Sequence, residues 1–235
     1  MNTLSSIALG ALIAVGLAFA GYAVGNGFVE ARGLDRSVEV KGLAEREVQA
    51  DTAIWPLQFV VAGDELEPLV RQIETQREAV TAFLLAREFT ADEISVSAPS
   101  VLDRLAQPFS DPNVRFRYSM SQSVTVFTPK IDAVRNAGRE LLELGKAGVV
   151  LNQENYELRT QYLFNGLNAI KPAMIEEATR NGREVAAKFA ADSASQLGKL
   201  KSARQGQFTI EDRDSNNPHV KKVRVVSTLE YYLVD

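Results

Sequence analysis

Apolar and polar positions alternate most cleanly in DTAIWPLQFVV, where Ala53, Trp55, Leu57, Phe59 and Val61 fall on one face of an expected strand. Pro56 has no N–H to give to a ladder, so this strand is expected to have an edge or a bulge there. Over residues 65–88 the period changes to that of a helix. Leu66, Leu69, Val70, Ile73, Val80, Phe83 and Leu84 make one stripe, with Pro68 tolerated in the first turn. Asp92 to Leu102 and Arg115 to Thr128 read as two strands paired across QPFSDPN. In the second strand Met120, Gln122, Val124 and Val126 oppose Ser119, Ser121, Ser123 and Thr125. Lys130 to Lys146 reads as a helix on Ile131, Val134, Leu141 and Leu142, closed by Gly148. Val149 to Phe164 alternates again through Tyr156, Leu158, Thr160 and Tyr162. The order over 51–164 is β-α-β-β-α-β, the ferredoxin-like order, in which helices cover one face of an antiparallel sheet.

The last third follows a different plan. Residues 168–200 predict a long helix with Pro172 early and Gly198 as its stop. Its stripe is made of small residues, Ala178, Gly182, Ala186 and Ala190, with Val185 and Phe189 beside it. Close packing within the subunit is the expected use of that stripe, and a contact between subunits the alternative. Lys201 to Glu211 and Lys221 to Val234 read as strands. In the last, Val223, Val225, Leu229, Tyr231 and Leu233 point inward, and Lys222, Arg224, Thr228 and Glu230 point outward. The fold class expected is therefore α+β with antiparallel sheets. Residues 37–50 together with 165–235 would form one subdomain, into which the ferredoxin-like portion 51–164 is inserted.

Residues 1–28 stand apart. No charged side chain occurs from Met1 to Val29, and the apolar heart from Leu4 to Val24 matches the roughly 20 residues that cross a bilayer as a helix. A retained anchor accounts for that length and for the Gly21-x-x-x-Gly25 spacing, which permits close helix–helix approach. A cleaved signal peptide is the alternative. Ala18-Phe19-Ala20 offers a cleavage pattern for it, but its basic leading region is absent. A buried soluble helix is the third reading. Residues 29–36, with Arg32, Gly33 and Arg36, would form a linker. The expected location is the inner membrane, with a single-pass anchor and the folded part in the periplasm, or the periplasm alone if the segment is cleaved.

Composition narrows the partners. A net charge of −4 with no basic, aromatic-interleaved block argues against nucleic acid. The absence of Cys removes thiol catalysis, thiolate-ligated zinc and disulfides.

VEVKGLAEREVQADTAIWPLQF resembles the opening of the SIMPL-domain family through Val38, Gly42, Glu45, Ala50, Asp51, Thr52 and Ala53. YSMSQSVTVF is similar to that family's central strand. IKPAMIEEATRNGREVAAKFAADSASQLGKL resembles its Ala-rich helix, and VRVVSTLEYYL its closing strand. The resemblance runs in order from Val38 to Leu233. It implies an α+β bacterial protein, exported or membrane-anchored, that assembles into homo-oligomers, with some members linked to stress tolerance. It implies no catalytic residue set.

The residues themselves offer few chemical candidates. Glu45, Arg46, Glu47 and Asp51 read as a polar rim where two strands meet, with Asp51 holding the turn. His219, the sole histidine, lies in the turn-rich DRDSNNPHVKK and is expected on a surface loop. Asp212-x-Asp214-x-Asn216 begins like a calcium loop, but Asn217 stands where the sharp-turn Gly belongs and Val223 where the bidentate Glu belongs. Gly145-Lys146 and Gly198-Lys199 each follow a helix and lack the remainder of a phosphate loop. No catalytic, cofactor-binding or metal residues are therefore assigned, and no cofactor is expected. The expected function is that of a non-enzymatic, self-assembling envelope protein, forming a ring-like scaffold linked to stress tolerance. Two alternatives stand beside it: a hydrolase or other enzyme using carboxylates such as Asp51, Glu154 and Asp214, and a small-ligand or lipid binder on the sheet face near Trp55 and Phe59.

Overall fold

The computed structural model describes residues 3–33, 36–107, 115–152 and 158–234, with side chains of the first helix described over 12–27. The chain is α+β, with antiparallel pairing in two separate sheets, and divides into two compact units. The first comprises Met1–Arg46, Ile170–Thr209 and Val223–Asp235, and the second Glu47–Ala169 with Ile210–Lys222. Residues 210–222 thus cluster with the second unit, apart from the rest of the last third.

In the second unit β2 (Thr52–Gly63) pairs along its whole length with β5 (Tyr118–Thr128), from Ala53↔Thr128 to Gly63↔Tyr118. Two short strands, β3 (Ile94–Val96) and β4 (Ser100–Asp103), pair with the other side of β5, and β6 (Gln161–Leu163) pairs with the start of β2. The sheet order is β3-β5-β2-β6, every pair antiparallel. Alternation places Trp55, Leu57, Phe59 and Val61 in the core, as read from the sequence. On its other side β2 meets β6 at Thr52–Ile54 and Leu151 at Phe59. Pro56 falls in the gap between, where among the described residues no strand requires its missing N–H.

The expected strand over 92–102 is broken. Thr90 and Glu93 form a reciprocal cap on a single turn at Ala91–Glu93, and β3 and β4 follow on either side of Ser97-Ala98-Pro99. Pro99 cannot extend a ladder, and Gln122 Nε2 donates to Ser97 O at 2.8 Å across the break.

Helix α2 (Leu66–Leu85) covers the sheet with Leu69, Ile73, Val80, Phe83 and Leu84. Leu66 and Val70, expected in that stripe, are exposed. The buried seam steps by three and four from Leu69 through Ile73 to Gln76, which puts those two leucine and valine positions to one side. Gln76 is buried instead, and its Nε2 donates to Gly148 O at 3.0 Å.

The single helix expected over 130–146 is two, α3 (Ile131–Arg139) and α4 (Leu142–Lys146). Between them Glu140 N–H donates to Ala137 O, and Glu143 N–H to Glu140 O. These tighter i→i+3 bonds rotate the following turn, so Leu142, expected inward, is exposed and Leu144 is buried, while Leu141 packs against the core as expected. Gly148, at φ +80°, closes α4 as expected. Of the expected strand over 149–164, the described residues show the Leu151 bridge and β6. Tyr156 and Glu154 lie outside the described residues.

The other sheet runs β1-β9-β7, from β1 (Ser37–Gln49), β7 (Gln196–Gln205) and β9 (Val220–Val234), and β8 (Thr209–Asp212), which past Thr209 clusters with the second unit, also pairs β9. β9 buries Val223, Val225, Leu229 and Tyr231 as expected, while Leu233 is only half-buried.

Helix α5 (Leu167–Asp192) buries Met174, Ala178, Gly182, Ala186 and Ala190. The small residues serve close packing within the chain: a Cβ on Gly42 of β1 would lie 1.8 Å from Ala178 O and 2.6 Å from Gly182 N. Val185 and Phe189 are exposed. Gly198 is not the helix stop. Ala194, at φ +54°, ends α5, with Ser195 N–H donating to Ala190 O and Ala194 N–H to Ala191 O. Gly198 lies within β7, where a Cβ would come 2.9 Å from Tyr232 O.

Helix α1 (Thr3–Gly33) carries Leu12, Val15, Phe19, Tyr22 and Val24, all largely exposed. Added Cβ atoms on Gly21 and Gly25 would meet nothing within 4 Å. Among the described residues, no helix is long and apolar enough to cross a membrane.

Candidate functional site

Within the second unit, α3, β6 and the segment 212–221 surround an open cleft of about 1210 Å³. α3 buries Val134 and Ala137 in the core, so its spacing turns Arg135 and Arg139, one helical turn apart, toward the cleft. β6 brings Tyr162 opposite Ala53, and Trp55, two residues further along β2, lines the cleft from the core side. Trp55 is itself buried, with Phe89 against it at 6.0 Å between ring centroids.

The third wall is built by Asp214. Its carboxylate accepts from Asn216 N–H and Asn217 N–H, each at 2.9 Å, and Arg213 N–H donates to Val220 O at 2.8 Å. The turn so closed presents Asn216 and His219 to the cleft. His219 is half-buried, contrary to the surface-loop expectation, because its carbonyl accepts from Ala50 N–H at 2.8 Å and its ring meets the Tyr162 ring edge-on at 6.0 Å. At the end of the wall Lys221 is buried and paired with Asp212.

Among the described residues, four basic side chains, Arg135, Arg139, Arg159 and Lys221, line the cleft against one carboxylate, Asp212. That local excess runs opposite to the chain's net charge of −4. Its field is visible in two neighbours. Burial, and then the charges of Arg135 and Arg213, hold the His219 imidazole below its ordinary pKa, so it is neutral near pH 7. Burial pushes the Tyr162 hydroxyl up, partly opposed by Arg135.

Of the carboxylates considered from sequence, Asp51 and Asp214 are taken up by turns, and Glu154 lies outside the described residues. Asp51 Oδ2 accepts from Asn165 N–H at 2.7 Å and Gly166 N–H at 2.9 Å, and its Oδ1 from Asn165 Nδ2 and Thr52 Oγ1. Burial alone would raise its pKa, but these donors hold it below the ordinary carboxylate range. Asp51 therefore ties the chain after β6 to the start of β2, which is a turn-holding role at longer range than expected. β1 and β2 enter different sheets, so the polar residues at their join are not a hairpin rim. Arg46 pairs with Glu177 at 2.8 Å, and Glu47 lies 3.6 Å from Arg213. Asp214 makes its turn and Asp212 neutralises Lys221, so the calcium-like pattern is used within the protein. Among the described residues no group of His, Asp and Glu could hold a metal ion. Phe59 is fully buried, and the sheet face near it is core, not an open platform.

From the sequence neither Arg135, Arg139 nor Arg159 is singled out, and Asp212, Asn216 and His219 are weighed without being joined in one site. Arg135 and Arg139 share a helix face and so carried a local signal, but 212–221 reaches them only through the fold.

The architecture is that of an α+β protein with two antiparallel sheets. A model of the SIMPL family, described as a protein of unknown function (DUF541), matches residues 38–227, and the chain belongs to that family. A search of curated proteins finds no match. Several of the residues that carried the resemblance have structural tasks: Gly42 admits the α5 backbone, and Asp51 and Thr52 hold Asn165.

Proposed function

We propose that this SIMPL protein is a non-enzymatic, self-assembling component of the bacterial envelope, held at the inner membrane by α1 with its folded part in the periplasm. The observation that carries the reading is α1 itself. It has no charged residue from Met1 to Val29, and every described side chain over 12–27 is exposed. Apolar surface of that extent is unfavourable in water and favours a lipid or protein environment. The anchor reading rests on that surface and on the length from Leu4 to Val24. Open space at Gly21 and Gly25 leaves that face free for a second copy of the helix. Assembly into a ring and a link to stress tolerance rest on the family resemblance. A ferredoxin-like second unit inserted in a second α+β subdomain fits the order of strands and helices.

Intact-mass measurement and carbonate extraction of the native protein test the anchor. A full-length mass in the membrane pellet is expected, and a mature chain beginning near Gly21, or release by carbonate, would sink it. Sedimentation of the detergent-extracted full chain tests assembly. Discrete oligomers are expected, since closed assemblies are the usual outcome of self-association, and a monomer at about tens of micromolar would end the proposal.

A further inference from the structure

We infer that the cleft between α3, β6 and residues 212–221 binds a small organic anion that carries a carboxylate or phosphate beside a flat ring. This goes beyond the envelope role and does not depend on it. The cleft's about 1210 Å³ exceeds what one small ligand fills, so the ligand occupies the part where charge and rings converge. Arg135 and Arg139 supply the charge. Arg135 Nη1 donates to Asp132 Oδ1 at 2.9 Å, but that Asp132 side chain is 84 % exposed, so a ligand oxyanion can take the guanidinium's remaining N–H groups without unmaking a buried pair. Arg139 donates to Asn136 Oδ1 at 3.4 Å, a long contact that a charged acceptor outcompetes.

The ring platform is equally specific. Tyr162 and His219 stand edge to face at 6.0 Å, and both line the cleft beside the arginines. A neutral imidazole there accepts or donates without adding charge, and the tyrosine remains a hydroxyl donor. Lys221 stays with Asp212 and takes no part in holding the ligand. The chain's overall acidity disfavours long polyanions, so an anion small enough to sit inside the local positive field is the class that fits.

Trp55, the only tryptophan, lines the same cleft and reports on it. The test titrates the full chain in non-ionic detergent with phenyl phosphate, following Trp55 emission and, independently, heat by calorimetry. Saturable binding is expected, weakening as salt is raised. Arg139→Glu, an exposed position that leaves the core untouched, is expected to weaken binding by about tenfold or more through loss of a charge-assisted bond. Arg204→Glu, an equal charge change on β7 of the first unit, is expected to leave it unchanged. Phenol should not bind measurably, and inorganic phosphate should bind more weakly than phenyl phosphate. The proposal is overturned by an absence of saturable heat with phenyl phosphate, by Arg139→Glu binding as the parent does, or by Arg204→Glu weakening binding equally. Phenol or inorganic phosphate matching phenyl phosphate overturns it as well.

Discussion

In the second unit, Leu57, Phe59, Val124 and Leu84 fill the space between the β2–β5 pair and α2 with branched and aromatic bulk. In the first unit, α5 meets β1 through Gly42, Ala178, Gly182 and Ala186. The first kind of contact depends on volume present and the second on volume absent, because a Cβ on Gly42 would intrude on the helix backbone itself. Backbone cannot rotate away as a side-chain end can. The two regions should therefore fail under opposite substitutions.

Phe59→Ala should have the largest effect, about 3–5 kcal/mol lost in denaturant melts, since a fully buried aromatic leaves a cavity that the paired sheet cannot close. A loss below about 1 kcal/mol would mean that the core relaxes freely, against that estimate. Gly42→Ala, the reverse kind of change, should cost about 3 kcal/mol by overpacking. The contrast breaks if Gly42→Ala is neutral, which would show that α5 moves off β1 without penalty.

Asp51→Ala should cost about 1 kcal/mol, by removing the acceptor of the Asn165 and Gly166 N–H groups, which water can replace only at the exposed Asn165. This loss belongs to neither packing rule and should be additive with Gly42→Ala in the double variant.

Acid should weaken the sheet edge of the second unit more gently. Partial burial would raise the Glu93 carboxyl, but Thr128 Oγ1, Thr90 N–H and Lys130 hold it down to about 2 against an ordinary 4.5. A depressed acid contributes stability that is complete above its unfolded pKa. That contribution is lost as pH falls from about 4.5 toward 2. Melts across that window should show the loss, and Glu93→Gln should flatten it; an unchanged slope in the variant would remove Glu93 as its source.

The smallest effect is expected at Phe189→Ser on the exposed side of α5, within about 0.5 kcal/mol for the folded chain. A larger loss, dependent on protein concentration, would instead place that face in a contact between copies.

Much of the fold was legible locally. The alternation in 53–61, 119–126 and 223–231 set the buried faces, because a strand's side chains take opposite sides whatever lies beyond. The Ala178–Ala190 stripe announced close approach, since small residues at helical spacing leave only backbone to pack; that Gly42 is what it meets came from the fold. Where single elements broke among the described residues, at Ser97–Pro99, at Glu140 and at 158–160, the choice lay between nearly equivalent local structures. Tertiary hydrogen bonds such as Gln122 to Ser97 helped decide it.

The cleft was legible only in part. Arg135 and Arg139 share a helix face by spacing alone, and Asp214 is a turn residue on sight. That this turn stands beside α3 and β6 depends on the His219 carbonyl meeting Ala50 N–H, a bond across 169 residues of chain (219 − 50). By itself the sequence determined which residues are buried along β2, β5 and most of β9, the broad order of elements and the family, because these follow from period and local chemistry. Only the tertiary structure decided that Asp51 holds the chain after β6, that Asp212 meets Lys221, and that, among the described residues, four cations gather in one cleft. Which charges meet is set by long-range chain closure, and no local pattern encodes it.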